Sequence, residues 1–88
     1  MEHRRCVPIV NSKGLHARPS HAFVSRALEF EAEVRVRCYG VEVNGKSILE
    51  LMTLGAACDA ELELCCTGSD GEAALTALVA LIESGFDE

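Results

Sequence analysis

The sequence predicts an α+β fold: a four-stranded antiparallel sheet with three helices packed on one of its faces, in the order βαββαβα. Three observations lead there. Four short segments each offer one apolar and one polar face, as strands do when one side of a sheet is covered and the other is wet. Three other segments carry helical spacing or helix-start signals. Only the connection between the second and third strands is short enough for a tight hairpin, so helices fill the other links and the C-terminal end.

The first strand is expected over residues 4–10, and Pro8, which has no N–H to give a ladder, puts it at a sheet edge. Asn11-Ser12-Lys13-Gly14 reads as a loop. A helix follows from Ala17 to about Glu29, where Phe23, Val24, Ala27, Leu28 and Phe30 recur at spacings of three and four. Pro19 fits only in the first turn of that helix, which makes His16 the N-cap residue. Glu33 to Cys38 alternate, with Val34, Val36 and Cys38 inward and the arginines toward water. Tyr39-Gly40 opens a turn, and Val41-Glu42-Val43 completes the hairpin. Ser47-Ile48-Leu49-Glu50 matches a capping box, with Ser47 as N-cap, opening a helix of about seven residues that stops at Gly55. Glu61 to Thr67 alternate again as the fourth strand. Ser69-Asp70-Gly71-Glu72 reads as a second capping box. The helix behind it runs to about Ser84, its stripe made of Ala74, Leu75, Leu78, Leu81 and Ile82, with Gly85 as the stop.

Composition narrows the function classes. The 88 residues are 49% hydrophobic and 25% charged, which is one globular domain spanning 1–88. No apolar run approaches the roughly 18 residues of a membrane span, and the N-terminus lacks a signal-peptide core, so a soluble, cytoplasmic protein is expected. A net charge of −6 disfavours nucleic-acid binding. The charge is uneven: seven bases and five acids lie in residues 1–44, one base and nine acids in 45–88, so an anionic group would meet the first half. The five cysteines are odd in number and none sits in C-x-x-C spacing. They are expected to be reduced and to act as small hydrophobes. No metal set is visible: Cys65 and Cys66 point to opposite faces of a strand, and His16 and His21 are five residues apart. His3 and His21 read as solvated surface.

The segment with chemical content is Gly14-Leu15-His16-Ala17-Arg18-Pro19. At a helix N-terminus the first-turn N–H groups lack partners, and the helix dipole adds partial positive charge, so a phosphate is attracted. The same field disfavours imidazolium and leaves His16 as a neutral nucleophile. Arg18 adds a guanidinium whose fork suits phosphate oxygens, and Gly14 allows a tight turn before the histidine. Histidine is an unusual N-cap, so its coincidence with Gly14, Arg18 and Pro19 favours function over simple capping.

With this motif, and with Asn44-Gly45-Lys46-Ser47-Ile48-Leu49-Glu50-Leu51-Met52-Thr53-Leu54-Gly55 at the expected separation, the whole chain resembles the HPr family, the histidine phosphocarriers of the bacterial phosphotransferase system. The resemblance implies an open-faced sandwich of four antiparallel strands carrying three helices, the order read above. It implies that Enzyme I, charged by phosphoenolpyruvate, phosphorylates His16 on Nδ1, and that the group passes to a IIA-type acceptor. It gives Arg18 and the backbone N–H groups of Ala17 and Arg18 the task of holding the phosphoryl group. Ser47 matches the family's regulatory serine, the target of an ATP-dependent HPr kinase/phosphorylase. That role is compatible with helix capping, since a phosphate at a helix N-terminus suits the dipole. Ser20, Ile48, Leu49 and Met52 fall where the family docks partners; Leu51 and Leu54 suit the core better, which leaves Leu49 and Met52 as the exposed contacts. No cofactor is implied, and the family default is a monomer.

The departures from the family are small. Serine replaces the commoner alanine at position 20, and Asp59 stands where many relatives have glycine, in a turn that aspartate tolerates. Ser25 and Glu50 replace lysines that steer sugar-transport relatives to acidic partners. The ending, residues 77–88, is similar to that of NPr, the paralogue of the nitrogen-related branch, so the alternative function is a regulatory module that controls partners through its phosphorylation state. Gly40 to Ser47 also fits the P-loop pattern G-x-x-x-x-G-K-[ST]. Its Val41-Glu42-Val43 core reads as strand, however, and the rest of the chain is too short for a parallel nucleotide-binding sheet, so the match is taken as chance.

Overall fold

The computed structural model describes residues 1–86. Asp87 and Glu88, the last two residues of the 1–88 domain and of the NPr-like ending, lie outside the described residues. The elements are β1 (Glu2–Pro8), α1 (Ala17–Ala27), β2 (Glu33–Cys38), β3 (Val41–Asn44), α2 (Ile48–Thr53), β4 (Glu61–Thr67) and α3 (Gly71–Glu83). This is the βαββαβα order that the patterning predicts. The strands form one antiparallel sheet in the order β1-β4-β2-β3. β1 is an edge strand, as Pro8 requires, although it begins two residues earlier than expected and ends at Pro8 itself.

One face of the sheet is covered and the other is open. Val7, Val34, Val36, Leu62, Leu64 and Cys66 point inward and meet Phe23, Val24 and Ala27 of α1, Leu51 of α2, and Ala74, Leu78 and Ile82 of α3. The outer face is a lattice of opposite charges: Arg4 with Glu2 and Glu63, and Arg35 and Arg37 with Glu42. These pairs are largely exposed and screened by water, so they contribute far less than the buried apolar face.

Local chemistry explains most boundaries. The β2–β3 hairpin turns on Tyr39 and Gly40, with φ of 54° and 78°, the left-handed pair that a twisted two-residue turn requires. Asp59 takes φ 72° in the turn before β4, the conformation expected of it. β3 fills the middle of the apparent P-loop pattern, so no phosphate-cradling loop forms there.

Some expectations are corrected. α1 ends at Ala27, so Leu28 falls past the helix and is exposed, while Phe30 is only partly buried. Beyond the helix end, the Lys46 Nζ donates to the Phe30 carbonyl at 2.7 Å. The second capping box does not form. Asp70, not Ser69, is the N-cap of α3, and its carboxylate accepts the N–H groups of Glu31 and Ala32, each at 2.8 Å. Capping was traded for a tie between α3 and the α1–β2 loop. The cysteines are not uniformly small hydrophobes either: Cys38 and Cys66 are buried, Cys65 is partly so, and Cys6 and Cys58 are exposed. Burial pushes the Cys66 thiol up to about 11, which keeps it neutral in the core.

Candidate functional site

The loop between β1 and α1 is built to present His16. Asn11, Ser12, Lys13 and Gly14 form a turn closed by the Gly14 N–H donating to the Asn11 carbonyl at 3.2 Å. The buried Asn11 Nδ2 donates back to the Gly14 carbonyl at 2.8 Å, so the turn is fastened twice. Gly14 has φ +68°, and a Cβ there would lie 2.3 Å from the Ala56 carbonyl oxygen. Leu15 is buried, and its N–H donates to that same carbonyl at 2.9 Å. The His16 loop is therefore stitched to the segment that follows α2.

His16 is the N-cap of α1, with extended backbone at φ −83° and ψ −167°, as the sequence requires. Its carbonyl accepts the first helical bond, from Ser20 N–H at 3.1 Å. Pro19 has no N–H, so the first-turn amides outside the helical ladder are those of Ala17 and Arg18. The His16 side chain caps none of the first-turn amides, and no acidic residue lies in that turn. An open cleft of about 490 Å³ lies here, lined by Ser12, Lys13, His16, Ala17 and Arg18. It joins an imidazole, two cations and the start of a helix, with no carboxylate among its described lining residues. That combination can receive an anion that bonds to a ring nitrogen.

The sequence-derived candidates divide. His16, Ala17 and Arg18 converge on the cleft. Ser20 does not belong to the surface: it is 0% exposed, and its Oγ donates to the Leu15 carbonyl at 3.4 Å. Its assignment to partner docking is corrected for a simple geometric reason. Positions 20, 23, 24 and 27 share one helix face, and that face is the core. Ile48 is half-buried against the core, whereas Leu49 and Met52 are 78% and 42% exposed, and Leu51 and Leu54 are buried as expected. Ser47 is the N-cap of α2, its Oγ accepting the Glu50 N–H at 3.2 Å. The reciprocal half of the capping box is displaced: the Glu50 carboxylate accepts the Asn44 N–H at 3.0 Å. His21 is exposed, and among the described residues no His, Cys, Asp and Glu group is arranged to hold a metal ion.

Two residues of the cleft, Ser12 and Lys13, escaped the sequence reading, as did the structural clamp Asn11. The signal was present: Asn at the first and Gly at the fourth position of a four-residue turn mark a tight turn, which fixes whatever sits at its tip. A second concavity, of about 580 Å³, lies between the C-terminal half of α1 and α3, lined by Arg26, Phe30, Ala73 and Ala77 among others. Its described lining holds no histidine or cysteine.

The chain is similar to known proteins in both sequence and fold. The family model described as PTS HPr component phosphorylation site matches residues 3–84. The chain is 42% identical over 85 residues to the phosphocarrier protein HPr of Neisseria meningitidis serogroup A, spanning 97% of this chain and 96% of that one. It is 38% identical over 86 residues to the phosphocarrier protein NPr of Escherichia coli K12, again spanning 97% and 96%. The crystal structure of HPr-C-His from Thermoanaerobacter tengcongensis superposes with a TM-score of 0.94 at 41% identity, over 98% of this chain and 97% of that one.

Proposed function

The chain belongs to the HPr family of phosphotransferase-system phosphocarriers, and on that premise we propose that His16 takes a phosphoryl group from phosphorylated Enzyme I and passes it to a IIA-type acceptor. The observation that carries this reading is the position of His16 at the mouth of α1, beside Arg18 and the amides of Ala17 and Arg18, in a cleft lined by no carboxylate among the described residues. In the transfer, the lone pair of His16 Nδ1 attacks phosphorus. The bond from phosphorus to the donor breaks, and its electron pair stays with the donor. The other ring nitrogen keeps its proton throughout. The phosphoryl oxygens then face the two first-turn amides and the Arg18 guanidinium, and the reverse sequence hands the group on. Because His16 takes the group from one protein and yields it to another, the chain acts as a relay component of a phosphotransferase rather than as a complete enzyme.

The exposed Leu49 and Met52, with the half-buried Ile48, form the apolar part of the surface on which Enzyme I and the acceptor dock. The carrier works as a cytoplasmic monomer. Ser47 serves as the target of an HPr kinase/phosphorylase, its hydroxyl lying at the start of α2. Incubated with ATP and such a kinase, the wild type takes up acid-stable phosphate and Ser47→Ala takes up none; equal uptake by both removes Ser47 from the account. The regulatory reading, a nitrogen-branch module, is favoured by Glu50, whose carboxylate at Asn44 gives α2 an acidic flank where a lysine would suit acidic sugar-branch partners.

The test of the carrier is direct. With phosphoenolpyruvate and a cognate Enzyme I, the wild type gains an acid-labile, alkali-stable phosphate and His16→Ala gains none. An unlabelled wild type, under conditions that label another carrier, overturns the carrier; labelling of His16→Ala overturns the site.

A further inference from the structure

The basic residues of this acidic chain are not used alike. Arg4, Arg26, Arg35 and Arg37 pair with carboxylates. Lys46 is engaged by the Phe30 carbonyl. Among the described residues, that leaves Arg5, Lys13 and Arg18 without an acidic partner, and two of these three line the His16 cleft. Lys13 sits at the tip of the turn that Asn11 and Gly14 close twice, at 3.2 Å and 2.8 Å. Its backbone is thus held in place, and only the four-carbon side chain has to move to follow an anion. Ser12 is the neighbouring tip residue and lines the same cleft.

We infer that Lys13 is a second cationic contact for the phosphoryl group, acting opposite Arg18 across the cleft and stabilising the phosphorylated form of the carrier. The inference rests on the carrier reading above and adds to it a residue outside the His-Ala-Arg segment. The physical ground is charge. A phosphoryl group on His16 brings close to two negative charges into the cleft. Helix amides and one guanidinium meet part of that charge, and no described lining residue opposes it. An ammonium on a flexible stem satisfies whichever oxygens the fixed donors leave exposed. Because Lys13 is exposed, its contribution is modest and falls with salt.

A competition for phosphate measures this without relying on docking rates. A limiting phosphoryl pool is equilibrated between equal amounts of wild type and variant by catalytic Enzyme I, and the partition is read by intact mass. Against Lys13→Ala at low salt, the wild type holds about threefold more phosphate, and the ratio approaches one at high salt. Lys13→Arg partitions evenly with wild type, which separates charge from turn structure. An even partition for Lys13→Ala at low salt overturns the role of Lys13 while leaving His16 as the carrier site. Failure of the wild type to take phosphate, with His16→Ala as the blank, overturns both.

Discussion

Gly14 shows how a single residue governs the site from outside the chemistry. Its positive φ and the 2.3 Å approach of a would-be Cβ to the Ala56 carbonyl leave room for hydrogen alone. Gly14→Ala is expected to lower stability in urea denaturation by about 3 kcal/mol or more, and a loss under about 1 kcal/mol would contradict the packing argument. Asp70 acts at the other end of the sheet. The Glu31 N–H, and after it the Ala32 N–H, holds its carboxyl below the ordinary aspartate value of 3.8, against a smaller opposing effect of burial. A depressed carboxyl contributes stability that is fully present above its unfolded value and lost as pH falls through the folded one. Asp70→Asn should therefore flatten the part of the stability–pH curve below about pH 4. Equal acid slopes for variant and wild type would contradict the tie. Single residues were legible only in part. His16, Arg18 and Pro19 announce themselves by type and order. The role of Asp70 depends on Glu31 and Ala32, nearly forty positions away, and no local pattern reports it.

At the scale of elements, periodicity located the secondary structure and tertiary contacts decided where it stops. β2 and β4 are bounded as expected because strict alternation on a half-buried sheet has no second solution. The end of α1 was misread because Leu28 and Phe30 extend the apolar stripe, although the helix stops at Ala27 and the Phe30 carbonyl accepts from the Lys46 ammonium. Ser20 was misplaced for the opposite reason: the family resemblance put it among the docking positions, but its helix face is the core. α2 is short, and its stability comes from burying Leu51 while leaving Leu49 and Met52 in water. That arrangement predicts a separation of stability from docking. Leu49→Glu and Met52→Glu should leave the urea midpoint within error while lowering the second-order rate of transfer from Enzyme I by about tenfold or more. A large fall in the midpoint, or an unchanged rate, would contradict the division of α2 into an inner and an outer face.

Across the whole molecule, the topology gathers what the sequence scatters. β1 delivers the loop to one end of the sheet, α1 begins there, and the segment after α2 returns to receive the Gly14 turn through the Ala56 carbonyl. A chain with a net charge of −6 thereby keeps Lys13 and Arg18 in a cleft whose described lining residues include no carboxylate, while Arg4, Arg35 and Arg37 pair with carboxylates on the open sheet face. The fold class and the histidine site were readable because they rest on local patterns. The stitching of the site to the segment after α2 was not, because it arises from a distant backbone contact; Lys13 was marked locally, by the Asn11–Gly14 turn, and went unread. The account depends on His16 carrying phosphate where the helix amides can meet it. Nitrogen-15 NMR of the phosphorylated, labelled protein tests this most directly. Phosphorus bonded to Nδ1 of His16, with the largest amide shifts at Ala17 and Arg18, is the predicted result. Phosphorus on the other ring nitrogen, or unmoved amides at those two residues, would contradict it.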